Sequence, residues 1–156
     1  MTLCKVILVH NPTRWYNPYT YLYSAIRKAT DSYWNHAAIE VDGIVYEANE
    51  RGIIMTPWED WLVRAERTYV TIDTYCNYDR VRECLGRPYD FGSLLVFLPL
   101  KLAFKEWLGR KKERALKSLF CSEFVAYCLG WEEFWDVAPA NIVAHFTPEV
   151  AAYKMR

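Results

Sequence analysis

Cys121, His36 and Glu47 are the residues of this chain whose types and surroundings could carry out nucleophilic chemistry on a carbonyl. A thiol needs a base to take its proton, and the base needs a third group to hold its tautomer, so a cysteine, a histidine and a carboxylate form the minimum set. Cys121 falls in the stretch Ser118 to Gly130, which reads as a helix with Ser118 as N-cap and Gly130 as its stop. In the first turn of such a helix, unpaired backbone amides and the helix dipole favour a thiolate, and the same amides can donate to a developing oxyanion. The commoner fate of a cysteine is to fill core space as a small apolar side chain, and that reading is assigned to Cys4 and Cys128.

The histidine and the carboxylate must come from elements that bring them together, and a hairpin does so. The sequence alternates from Tyr33 to Val41 and from Ile44 to Asn49 around Asp42-Gly43, a dipeptide suited to a tight turn with positive φ. That turn pairs Val41 with Ile44, Ile39 with Tyr46, Ala38 with Glu47 and His36 with Asn49. One face then holds Ala37, Ile39, Val41, Ile44, Tyr46 and Ala48, and the other His36, Ala38, Glu40, Val45, Glu47 and Asn49. His36 and Glu47 become diagonal neighbours within hydrogen-bonding reach, with Asn49 the alternative third member. A slip of one residue would separate His36 from Glu47, and a half-exposed sheet would carry the same residues with no chemistry. His10, at a strand end, and His145, in a C-terminal helix, have no acidic partner on a predictable shared face and are read as structural.

The other elements follow from local signals. Cys4 to His10 reads as a buried strand that ends at Asn11-Pro12, and Asn17-Pro18 opens an amphipathic helix to about Ala29 with Leu22, Ala25, Ile26 and Ala29 inward. Ile53 to Met55 suggests a short strand, and Thr56-Pro57-Trp58-Glu59 a capping box that starts a helix to about Ala65. A strand from Thr68 to Tyr75 and a short helix capped by Asn77 and ending at Gly86 come next. The apolar segment Phe91 to Leu108 contains Pro99 and Lys101, and its uninterrupted part, Leu94 to Leu100, is far shorter than the ~20 residues of a membrane span. A last helix is expected over Pro139 to His145.

Composition narrows the function classes. The 156 residues are 53% hydrophobic, enough for the core of a single domain, and 17% aromatic, which excludes a disordered chain. Basic and acidic residues balance at 19 each, so no electrostatic footprint for nucleic acid is present. The five cysteines at 4, 76, 84, 121 and 128 form neither a disulfide framework nor a zinc-type pattern, which fits reduced thiols in the cytoplasm. The N-terminal stretch reads as a first strand, not an export signal. The basic cluster Arg110-Lys111-Lys112 with Arg114 and Lys117 reads as a solvated connection, with membrane docking the lesser option.

Three stretches in a fixed order resemble a known group. They are Trp34-Asn35-His36-Ala37-Ala38-Ile39 with Val45-Tyr46-Glu47-Ala48, then Gly86-Arg87-Pro88-Tyr89-Asp90, then Phe120-Cys121-Ser122-Glu123-Phe124-Val125. The group is the circularly permuted NlpC-type papain-like cysteine amidases, especially the YiiX-like branch. In unpermuted papain-like domains the cysteine helix precedes the histidine strand, whereas here His36 comes first. The resemblance implies Cys121 as nucleophile, His36 as base, Glu47 as the residue that orients it, and Tyr89-Asp90 as a supporting turn. Permuted enzymes related to that group include the lecithin:retinol acyltransferase-like group, which carries acyl chains from lipids on a cysteine and is the alternative. The segment Leu94 to Phe104 would suit a lipid, but that group usually has a second histidine where this chain has Glu47 or Asn49.

The expectation is therefore one α+β papain-like domain over residues 1–156, with a central antiparallel sheet packed against the cysteine-bearing helix and a cleft between them. The expected activity is hydrolysis of a peptide or cell-wall-peptide-like amide through an acyl-thioenzyme, with no metal or organic cofactor and no nucleic acid. The alternatives are a lipid-directed thiol acyltransferase and a binding module with an idle site. Tyr33, Trp34, Tyr89 and Trp15 are read as either selectivity or core residues. The place of action is expected to be cytoplasmic, or one reached by a virus or lysis system.

Overall fold

The computed structural model describes residues 1–12, 19–63, 67–90 and 117–146. Five strands, β1 (Thr2–His10), β2 (His36–Val41), β3 (Ile44–Asn49), β4 (Gly52–Pro57) and β5 (Thr68–Cys76), form one sheet in the order β4-β3-β2-β1-β5. Every neighbouring pair is antiparallel. Among the described residues the helices are α1 (Tyr19–Thr30), α2 (Trp58–Val63), α3 (Tyr78–Cys84), α4 (Cys121–Cys128) and α5 (Pro139–Phe146), with a 3-10 turn at Phe134–Asp136. The chain is thus a mixed α+β structure.

The run Val6-Ile7-Leu8-Val9 is apolar at every position because β1 lies between β2 and β5 and is buried on both faces. The hairpin has the register its turn dictates, with Val41 opposite Ile44, Ile39 opposite Tyr46 and Ala38 opposite Glu47. Asp42 and Gly43 take φ values of 50° and 79°, the positive pair that joins twisted strands through two residues.

The two faces of the hairpin meet different helices. Ala37, Ile39, Val41, Tyr46 and Ala48 share a core with Phe124 and Val125 of α4, Val81 of α3 and Ile142 of α5. On the opposite face, Ile7, Val9, Ala38 and Val45 pack against Trp61 of α2, with Trp58 beside it. The half-exposed face allowed for by the sequence is therefore roofed by α2. The sheet is thus packed against the cysteine-bearing helix, as expected, with the body of that helix on the apolar face of the hairpin.

Three local expectations also change. Tyr33 to Asn35 is not strand: Asn35 N–H donates to the Val9 carbonyl at 3.1 Å, and its side-chain amide is bound to Asn11. Thr56 does not cap α2, because β4 continues through Thr56 and Pro57 paired with Val45 and Ile44, and the buried Thr56 hydroxyl has no hydrogen-bond partner among the described residues. Helix α2 instead begins with the Trp58 N–H donating to the Gly43 carbonyl at 2.8 Å. Ser118 does not cap α4 either. Its hydroxyl donates to Asp90 Oδ2 at 3.1 Å, and the N-cap residue is Phe120.

Asn77 caps α3 as expected, accepting from the Arg80 N–H at 3.3 Å. Gly130, with φ 87°, stops α4: its N–H reaches the Tyr127 carbonyl at 3.1 Å and the Trp131 N–H reaches that of Ala126 at 3.0 Å. Asn17-Pro18, Trp15, Ala65, the segment Phe91 to Leu108, the basic residues 110–114 and the tail after Phe146 lie outside the described residues, as do the side chains of Leu22 and Ala29. No helix among the described residues is long and apolar enough to cross a membrane.

Candidate thiol site

His36 is the first residue of β2 and is held there from both sides. Its backbone pairs with Val9 of β1, and the preceding Asn35 makes a two-way link with Asn11, accepting from the Asn11 N–H at 2.9 Å and donating to its carbonyl at 2.9 Å. Asn11 and Asn35 are both buried, so these bonds satisfy backbone groups that water does not reach. The asparagine thereby extends the β1–β2 ladder by one side-chain step and fixes where the imidazole starts.

Glu47, one step along the facing strand, meets the ring: Glu47 Oε2 lies 3.0 Å from His36 Nε2. With Nε2 engaged, Nδ1 is the ring nitrogen left for Cys121, which lies close enough to His36 to interact with it electrostatically. Cys121 is the first residue of α4 and is 3% exposed. Because the helix starts there, the Cys121 N–H has no intrahelical carbonyl to bond. The helix start is fixed by Glu123, whose carboxylate accepts from the Phe120 N–H at 3.0 Å. The structure thus brings together all three residues singled out from sequence. Asn49 does not take the third position; its side-chain amide donates to Glu47 Oε1 at 3.4 Å, and its oxygen accepts from the Arg51 N–H.

Two further residues converge on Glu47 that sequence reasoning did not find. Trp61 of α2 donates its indole N–H to Glu47 Oε2 at 3.3 Å. Arg67, just before β5, holds Nη1 3.8 Å from the same oxygen and lays its guanidinium 5.3 Å from the centre of the Trp61 ring. Both belong to elements distant in sequence from the hairpin, and no local pattern links them to it. A carboxylate destined for burial nonetheless needs partners, which is the one signal that could have prompted a search.

The electrostatics follow from this packing. Burial lowers the His36 pKa, but the charge and hydrogen bond of Cys121, then those of Glu47, outweigh it and raise the value to about 9. Burial raises the Glu47 pKa, but the His36 hydrogen bond and charge, then Arg67 and the Trp61 N–H, hold it down to about 2. Between these values the pair is an imidazolium beside a carboxylate.

The remaining titratable candidates are occupied elsewhere. His10 is stacked on Tyr33 at 4.1 Å, with Nδ1 2.9 Å from the Tyr33 carbonyl and Nε2 3.4 Å from Arg27. His145 packs against the rings of Trp131 and Phe146. All five cysteines are free and buried. A hydrogen bond to Cys76 and then burial push the Cys4 thiol up, burial pushes Cys84 up to about 11, and burial pushes Cys128 well up. The hydrogen bond from Cys4 draws Cys76 down, yet Cys76 has no exposed surface.

The supporting turn docks beside this site. Asp90 accepts from Ser118, the Tyr89 and Phe120 rings stand 6.0 Å apart, and Ile53 of β4 donates to the Arg87 carbonyl at 2.9 Å while accepting from the Gly86 N–H. Among the described residues no group of three or more His, Cys, Asp or Glu is placed to hold a metal ion. No protein-family model matches the chain, and no curated protein matches it.

Proposed function

We propose that this protein is a cysteine hydrolase of amide bonds, with a permuted papain-like arrangement in which Cys121 is the nucleophile, His36 the acid and base, and Glu47 the residue that orients His36. The observation that carries this reading is the single chain of contacts from a helix-start thiol to a buried imidazole to a buried carboxylate. The order of the elements, with the histidine strand before the cysteine helix, supports the likeness to the permuted amidases.

In the proposed reaction His36 holds the proton of the Cys121 thiol, leaving a thiolate beside an imidazolium. The sulphur attacks the carbonyl carbon, and the oxyanion accepts from the Cys121 N–H at the helix start. His36 passes its proton to the leaving amine as the C–N bond breaks, which leaves an acyl group on sulphur. Water, deprotonated by His36, then releases the acid and restores the thiol. Glu47 stabilises the imidazolium and keeps Nδ1 toward sulphur throughout.

Iodoacetamide labelling at pH 6 to 7, read by peptide mass spectrometry, tests this reading; the small reagent suits a thiol of such low exposure. Fast labelling of Cys121 that slows sharply in His36→Ala is the expected result. Labelling spread over the five thiols, or indifferent to His36, overturns it in favour of a binding module. A long-chain acyl adduct on Cys121 would point to acyl transfer from lipid instead.

A further inference from the structure

We propose that Arg67 is a positioning residue of this site, acting through Glu47: its guanidinium keeps the carboxylate charged and directed at His36. The inference rests on the thiol-site reading and extends it outward by one residue. From Arg67 to Glu47, His36 and Cys121, the proposed working state alternates in sign: guanidinium, carboxylate, imidazolium, thiolate.

Three observations carry it. Arg67 Nη1 is buried and has no hydrogen-bond partner among the described residues, yet it stands 3.8 Å from Glu47 Oε2, so its contribution there is charge and not a directed bond. The Arg67 side chain is 23% exposed and Glu47 2%, so solvent and salt screen the pair far less than a surface ion pair. Trp61 binds both members, giving its N–H to Glu47 and its ring face to Arg67. The indole thus fixes the cation against the oxygen that faces His36.

Among the described residues, Arg67 is a cation beside Glu47 from outside the triad. Strand β2 contributes His36, β3 contributes the neutral Asn49, β4 places Ile54 opposite and Thr56 two residues on, and α2 contributes Trp61. Cys121 interacts with the imidazole itself. Without Arg67, this deeply buried carboxylate keeps His36 but loses a second charge that favours its ionised form, and a protonated Glu47 cannot hold an imidazolium.

The test uses the full chain with Arg67→Met, which removes charge and keeps the stem, and Arg67→Lys, which restores charge. Two readouts are taken: the carboxyl carbon titration of Glu47 by NMR, and the pH profile of Cys121 alkylation. In Arg67→Met the Glu47 titration is expected to rise by roughly one pH unit or more. The acid limb of alkylation should move up with it, the basic limb should stay, and Arg67→Lys should recover most of the shift. An unmoved Glu47 titration, or a rate loss uniform across pH that lysine does not rescue, overturns the proposal and leaves Arg67 as packing on Trp61. Arg67→Gln is read in place of Arg67→Met if the latter does not fold. An unreactive wild-type Cys121 would sink the hydrolase reading, while the Glu47 titration would still decide whether Arg67 sets its charge.

Discussion

Glu47 Oε2 stands 3.0 Å from His36 Nε2, between two strands buried on both faces. The contact spends one ring nitrogen on the carboxylate and leaves the other for sulphur. It also ties the ionisation of either residue to that of its partner.

Removing the charge of Glu47 without changing its shape isolates that tie. In Glu47→Gln the His36 titration should fall from about 9, because the carboxylate is among the groups that raise it. On the proposed hydrolase reading, amide turnover should drop by about 10²- to 10⁴-fold, the range for disabling an oriented acid-base group. Histidine proton NMR and turnover measured across pH check both parts; an unmoved His36 titration would dismiss Glu47 as its partner.

Stability should depend on pH in two windows. The Glu47 value falls from its ordinary 4.5 to about 2 on folding, so its contribution is complete above pH 4.5 and is lost as pH drops toward 2. The His36 value rises from 6.5 to about 9, so its contribution is complete below pH 6.5 and is lost as pH climbs toward 9. Stability should therefore peak between pH 4.5 and 6.5 and fall on either side. Urea unfolding of wild type and Glu47→Gln across pH checks this; the variant should give a flatter curve.

Asn35 should matter to both folding and reactivity. Asn35→Ala leaves the buried Asn11 N–H and carbonyl without their partner, a loss of about 1–3 kcal/mol. Since the next residue is His36, Cys121 alkylation should slow as well. Denaturant unfolding and the alkylation rate of the folded variant separate the two effects.

Gly52 should accept no side chain. Its φ is 98°, and a Cβ there would stand 2.6 Å from the Arg87 carbonyl oxygen, against backbone that is itself bonded to Ile53. Gly52→Ala should destabilise by roughly 1–3 kcal/mol and weaken docking of the Gly86 to Asp90 turn. A melting temperature equal to wild type would show that the turn moves aside freely.

The parts legible in the sequence are those set by neighbours along the chain. Asp42-Gly43 dictates the hairpin register, and the register alone brings Glu47 to the face of His36. Asn77 and Gly130 mark helix ends by the same local chemistry. What escaped depends on long-range competition. Thr56 and Ser118 have the composition of caps, but strand pairing holds Thr56 extended, and Asp90 takes the Ser118 hydroxyl from a position 28 residues earlier. The roof over the polar face was equally hidden, because Trp61 and Arg67 reach Glu47 only after α2 has folded back over the sheet.

The bond between Ser118 and Asp90, together with the Glu123 carboxylate on the Phe120 N–H, gives the start of α4 two separate anchors. One reaches back to the turn that follows α3, and the other lies within the cysteine's own helix. A substitution at either anchor therefore loosens the position of the thiol without touching Cys121, His36 or Glu47, so reactivity can be tuned from residues that carry none of the chemistry.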